Sequence, residues 1–259
     1  MEPLLSYEII YCRLNQRYYW INLFYSLVPF IIFYLPYIKD INDVVNNDNN
    51  WNLIVYGITT VFLIIKLRKS TSLEEMFGVL FLYLKLAHLI VFYLFNLKLF
   101  GSIYLLVMLI LFSLIPQPHY YGPSMTLVLT KDTLNEFIDS AEYTILCLEM
   151  DWSPRCINMQ PVLASVSLKY TNDKVKFGRI NLEENEEEYS KKYKIDNSAT
   201  SLQIPTLILF HHGKEIQRLP DIKSRFRGAK LTFWDRSEES IVDAFKLYDK
   251  MSSSNDDLD

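Results

Sequence analysis

The most reactive groups in this sequence are three thiols, Cys12, Cys147 and Cys156, and one of them stands where a thiol can be activated. The string Trp152-Ser153-Pro154-Arg155-Cys156 follows an apolar run and opens a helical pattern that continues to about Tyr170. Ser153 suits the N-cap of that helix and Pro154 its first position. Cys156 then lies in the first turn, where the helix N-terminus and the adjacent Arg155 would both favour a thiolate. The chemistry this allows is that of a lone redox thiol: oxidation, or a disulfide with a second molecule. Ser153 cannot form a disulfide with Cys156, and its hydroxyl is no comparable nucleophile, so dithiol cycling within this string is excluded.

The other reactive clusters read more plainly. Cys147 fits a buried strand position. Cys12, on the N-terminal arm, reads as an idle thiol, with palmitoylation or an intermolecular disulfide as alternatives. Two-Cys and four-Cys metal spacings are absent, and three cysteines are too few for a disulfide framework. His211-His212 lacks companion ligands along the sequence and reads as a turn, so neither metal nor cofactor is expected. Glu183 to Glu188 reads as a solvated helix start, its carboxylates favoured by the dipole. Lys85 and His88 stand three apart on one expected helix face inside an apolar segment; a snorkelling or paired lysine accounts for them more simply than a proton path. The basic stretch from Lys223 to Lys230 could touch anionic lipid or form a flexible loop.

The elements that must position these residues fall into two halves. Of the charged residues, 15 lie in 1–129 and 41 in 130–259. A single water-soluble globule is excluded by that asymmetry, and the acidic second half excludes a strongly basic nucleic-acid binder. Uncharged runs and their flanks give four expected membrane spans, 18–38, 51–65, 76–95 and 99–116, after an N-terminal arm over 1–17. No small-residue cleavage site follows the first run, so it reads as a retained anchor rather than a signal peptide. With four spans, six Lys and Arg residues fall on the side of both termini and two, Lys39 and Lys98, on the other, which places both termini in the cytosol. A two-span reading would instead make the C-terminal half lumenal. The lack of any Asn-x-Ser/Thr acceptor favours the cytosolic arrangement.

Pro116, Pro118, Gly122 and Pro123 mark a linker over 117–124. Beyond it strands are expected at 125–129, 144–150, 175–181, 207–210 and 215–219. Helices are expected at 131–140, 154–170, 183–194 and 238–248. This β-α-β-α-β-α-β-β-α order implies an α/β sandwich with a central mixed sheet and helices on both faces, preceded by the α-helical transmembrane region. The last residues, 249–259, read as an acidic disordered tail.

Over residues 125–248 the chain resembles the thioredoxin fold. The resemblance rests on Trp152 to Cys156 with Pro161 five residues later, on Lys176-Phe177-Gly178-Arg179-Ile180-Asn181, and on Ile204-Pro205-Thr206-Leu207-Ile208-Leu209-Phe210 with His212-Gly213-Lys214. More closely the chain resembles the thioredoxin-related transmembrane protein 2 family, in which an apolar N-terminal region precedes a thioredoxin-like domain with Ser-x-x-Cys in place of Cys-x-x-Cys. The insert Asn197 to Gln203 and the segment Gly228 to Phe233 also match that family. Its dilysine-type ending is absent from Ser-Asn-Asp-Asp-Leu-Asp.

The resemblance implies a cis Ile204-Pro205 bond facing the Trp152–Cys156 loop, with Ile204, Pro205 and Thr206 as a peptide-binding surface. It implies an endoplasmic reticulum membrane protein, at sites close to mitochondria, forming a disulfide-linked homodimer and meeting calnexin-like chaperones. Two functions are carried forward. One is a redox-state sensor, regulator or adaptor acting through Cys156; the other is a non-catalytic peptide- or partner-binding module. Classical thiol-disulfide oxidoreductase activity is not expected, and membrane lipid rather than nucleic acid is the expected surround.

Overall fold

A computed structural model describes residues 7–34, 51–183, 186–196, 198, 201, 203–224, 229–231 and 234–252. It divides into a helical unit, Tyr7–Pro118, and an α/β unit beginning at His119. The helical unit contains α1 (Tyr7–Leu14), α2 (Arg17–Tyr34), α3 (Trp51–Leu67), α4 (Leu73–Leu94) and α5 (Lys98–Leu114). By length and composition α4 can cross a membrane, while α3 and α5 are shorter apolar helices. Much of their apolar surface faces outward: Leu53 is 68% exposed and Phe112 78%.

Several buried polar groups inside this unit meet partners on neighbouring helices. Arg13 donates through Nε and Nη2 to the two carboxylate oxygens of Glu74, at 2.8 Å each, with both side chains buried. Such a two-pronged pair fixes orientation as well as distance. Lys85 donates to Asn22 Oδ1 of α2. His88 Nε2 meets the Ser26 carbonyl oxygen at 2.9 Å, and its Nδ1 meets Tyr56 Oη at 2.9 Å. The expected shared face of Lys85 and His88 is therefore a packing seam between helices.

The α/β unit contains β1 (Leu127–Val128), α6 (Lys131–Ile138), β2 (Tyr143–Glu149), α7 (Pro154–Tyr170), β3 (Val175–Asn181) and α8 (Glu186–Tyr193). It continues with β4 (Thr206–His211), β5 (Lys214–Leu219), β6 (Ile222–Ser224), β7 (Ala229–Leu231), α9 (Glu238–Phe245) and α10 (Leu247–Ser252). The main sheet has the order β1-β3-β2-β4-β5, with β2 parallel to β3 and antiparallel to β4. Successive side chains of a strand point to opposite faces. Leu146 and Leu148 accordingly join Ile208 and Phe210 in one core, with Phe137 of α6 and Tyr189 and Tyr193 of α8. Ile145 and Cys147 join Leu207 and Leu209 in the other, with Leu163 and Val166 of α7 and Ile241 and Phe245 of α9. The expected mixed sheet with helices on both faces is the observed one.

Two expectations need correction. The closing helix is broken rather than continuous, because Lys246 takes a left-handed conformation with φ of 49° and ends α9. The chain is again helical through Ser252, so the first residues assigned to the tail are ordered helix; residues 253–259 lie outside the described residues. The strand pair β6–β7 was not expected at all. The basic side chains of Lys223 to Lys230 lie outside the described ones, as does most of the insert 197–203.

Gly178 of β3 shows how tightly the sheet is covered. A Cβ there would lie 2.7 Å from Leu129 Cδ1 and 2.8 Å from the Phe137 ring. Gly178→Ala is therefore expected to destabilise the α/β unit by about 1–3 kcal/mol, the usual cost of overpacking a filled core. Urea unfolding of the full chain in detergent checks this; an unchanged midpoint would show that α6 moves aside freely.

Candidate functional site around Ser153 and Cys156

The site is built where β2 ends and α7 begins. Ser153 occupies the N-cap position of α7 with φ of −88° and ψ of 113°, and Pro154 follows in the first turn. The Cys156 and Ile157 N–H groups donate to the Ser153 carbonyl at 2.9 and 3.2 Å, so the helix starts as its sequence demands. The Ser153 hydroxyl makes no cap hydrogen bond to the backbone. The two positions that would carry a disulfide in a dithiol site hold a hydroxyl and a thiol.

Both are buried, Ser153 at 6% exposure and Cys156 at 1%, while Trp152 beside them is 49% exposed. Burial pushes the Cys156 thiol up to about 12, against the opposing effects of the Met150 N–H, which donates to Sγ at 3.4 Å, and of the Ser153 side chain. The expectation that Arg155 and the helix start would favour the thiolate is overturned by desolvation. Arg155 itself points elsewhere: its Nη1 donates to the Ser201 carbonyl oxygen at 3.0 Å. That bond ties the insert preceding Pro205 to the start of α7. The insert is knit further by Asp196 N–H to Gln203 Oε1 at 2.9 Å and by Gln203 N–H to Ser201 Oγ at 3.1 Å.

Cys147 is buried at 1% within β2, and burial raises its thiol well above the usual range. Cys12 is exposed, and none of the three cysteines is in a disulfide. The Ile204-Pro205 bond is cis, as the resemblance implies. Ile204 and Thr206 are only 3% and 2% exposed and Pro205 is buried too, so their side chains pack into the interior. Thr206 Oγ1 donates inward to the Gln203 carbonyl oxygen at 2.5 Å.

One part of the site was missed in the sequence. Glu149 ends β2 buried at 5% exposure, two residues after Cys147 and therefore on the same strand face. Arg179 Nη1 donates to its Oε1 at 3.3 Å and Gln160 Nε2 to its Oε2 at 3.2 Å. Gln160 also meets His119 Nδ1 at 3.1 Å and accepts the Tyr120 N–H at 2.9 Å. Burial raises the Glu149 carboxyl despite the attraction of Arg179. A carboxylate closing an otherwise apolar strand run, Ile145 to Met150, was the available signal. A second grouping was also missed: His211 and His212 do have a companion, Glu142, which the β2–β4 pairing brings beside them.

With this geometry established, known proteins give the chain its kinship. The family model for Thioredoxin matches residues 125–227. "Thioredoxin-related transmembrane protein 2-B" of Danio rerio is 28% identical over 92% of this chain and 78% of its own length. The Drosophila melanogaster homologue of that protein is 28% identical, covering 91% of this chain and 90% of its own. The Caenorhabditis elegans homologue reaches 32% identity over 72% of this chain and 69% of its own. The apolar helical unit, the thioredoxin-like sheet and these relatives agree, and the chain belongs to the thioredoxin-related transmembrane protein 2 family.

Proposed function

We propose that the protein is a membrane-anchored, thioredoxin-like regulator of the endoplasmic reticulum that works as an adaptor, with Cys156 as a guarded redox thiol rather than a catalytic nucleophile. The observation that carries this reading is a buried Ser153 and a Cys156 that is 1% exposed, next in sequence to an exposed Trp152. A reducing enzyme needs a thiolate at the surface; here the attacking position is a hydroxyl and the remaining thiol is held protonated. Oxidation of Cys156 requires the start of α7 to open, and the Arg155–Ser201 bond is a contact that opening would break. Once open, peroxide takes two electrons from the thiolate to give a sulfenic acid. A thiol of a second chain then displaces water from that sulfur to form the disulfide-linked homodimer.

The anchoring is proposed as four spans with both termini cytosolic, in membrane that extends to sites close to mitochondria. Outward-facing apolar side chains on α3 and α5 support an apolar surround, because so much exposed hydrocarbon is unfavourable in water. For partner binding, the exposed indole of Trp152 is the better anchor than the buried Ile204-Pro205-Thr206 segment. Calnexin-like membrane chaperones are the partner class proposed.

At neutral pH Cys156 should alkylate about a thousand-fold more slowly than an unperturbed thiol, since a shift from 9.0 to about 12 removes that much thiolate. Its rate should climb about tenfold per pH unit with no plateau below pH 11. Site-resolved mass spectrometry of iodoacetamide labelling, with Cys12 as internal reference, measures both; equal rates at the two sites would sink the guarded-thiol reading. Arg155→Ala should accelerate Cys156 labelling severalfold. Finally, mild peroxide should convert the full chain in membranes to a disulfide dimer that Cys156→Ser abolishes and Cys12→Ser leaves in place. Chaperone co-purification should survive Cys156→Ser and fall several-fold in Trp152→Ala. Monomer in every lane would refute the sensor, and capture insensitive to Trp152→Ala would refute the adaptor surface.

A further inference from the structure

We propose that Glu142, His211 and His212 form a binding site for a divalent transition-metal ion of the zinc type, at the opposite end of β2 from Ser153. Tyr143 pairs with His211 across β2 and β4, so Glu142, one residue earlier, comes opposite His212. The His212 N–H donates to the Glu142 carbonyl oxygen at 3.0 Å and locks that register. One ligand atom from each of the three residues lies within 4.8 Å of the others, and Glu142 Oε1 stands 3.6 Å from His211 Nε2. Ligands held about 2.0–2.1 Å from a tetrahedral ion lie roughly 3.3 Å apart, so small rotations of the half-buried Glu142 and His211 and the exposed His212 close the site.

Adjacent residues of a strand point to opposite faces, and two neighbouring histidines would ordinarily not converge. They converge here because His212 leaves the strand. His212 and Gly213 are the two central residues of the β4–β5 turn, with φ of 47° and 76°. That left-handed bend places the His212 ring 4.4 Å from the His211 ring, centroid to centroid. The turn alone asks only for positive φ, which Asn-Gly meets best; imidazole adds a ligand that the backbone does not require. His211 is further held by Tyr143, stacked at 4.6 Å and 23°. The carboxylate of Asp139 stands against Gly213, where a Cβ would lie 2.6 Å from its Oδ1, and it adds negative charge beside the turn.

The donor set selects the ion. Two imidazoles and one carboxylate suit Zn²⁺ with water completing the coordination. Oxygen ligands are too few for Ca²⁺ or Mg²⁺, and no thiolate is present to favour Cu⁺. Ser153 and Cys156 play no part, so the metal site stands or falls separately from the guarded thiol.

The full chain, purified in detergent without a histidine tag and carrying Cys12→Ser, is titrated with Co²⁺ and then with Zn²⁺. One equivalent of Co²⁺ should give d–d bands without thiolate charge transfer, and Zn²⁺ should displace it. His212→Asn, which keeps a residue suited to the turn, and Glu142→Gln should each weaken binding by about tenfold or more, since even outer-shell partners contribute 10–100-fold. Unaltered circular dichroism checks their folding. Absence of saturable binding, a thiolate charge-transfer band, or affinity unchanged in both variants would each overturn the site.

Discussion

Burial of β2 on both faces is the constraint on which the α/β unit depends. Leu146 and Leu148 on one side and Ile145 and Cys147 on the other are all at or below 1% exposure. A strand so enclosed must pair on both edges, because its backbone groups have no water to turn to. Parallel β3 and antiparallel β4 meet that demand, and their registers fix what lies at each end of β2. At its C-terminal end the chain leaves the sheet through Trp152 and enters α7 at Ser153. At its N-terminal end Glu142 is delivered to the β4–β5 turn. Both places with chemical promise are therefore set by one strand.

At the start of α7 two physical effects compete for the Cys156 thiol. A helix N-terminus favours an anion by about 0.3–1 kcal/mol near the surface, and by about 2 in sheltered geometry. Burial shifts the thiol from its usual 9 to about 12, which corresponds to roughly 4 kcal/mol against the thiolate. Desolvation wins. With Ser153 at the N-cap the helix start is intact, carried by Pro154 in the first turn and by the Cys156 and Ile157 N–H groups on the Ser153 carbonyl.

Much of this could be read along the sequence, and the failures share a cause. The strands from Tyr143 and Thr206 are short continuous apolar runs, that from Val175 opens with period-two alternation, and Ser153-Pro154 is a local helix signal, so short-range rules suffice there. Kinship supplied the cis Ile204-Pro205 bond. The sequence could not show that the insert after Ile195 is tied to Arg155, because that contact spans 46 residues. It misjudged Cys156, whose burial depends on the Leu148, Met150 and Ile204 side chains of its core. Glu149 with Arg179, and Glu142 with His211, are likewise pairs that only strand register brings together. Lys246, which breaks the last helix, has no local signature, since its left-handed conformation would ordinarily be given to glycine or asparagine.

The seam in the helical unit bears on how such a protein assembles. Between helices in hydrocarbon there is no hydrophobic drive to associate, since lipid tails satisfy leucine as well as another helix does. What distinguishes one rotation of α4 from another is where Lys85 and His88 find Asn22, Ser26 and Tyr56. Turned by half a revolution, the same helix would present an ammonium and an imidazole to acyl chains. Together with the Arg13–Glu74 pair, these few polar contacts act as an indexing mark, telling α1, α2, α3 and α4 which sides belong together.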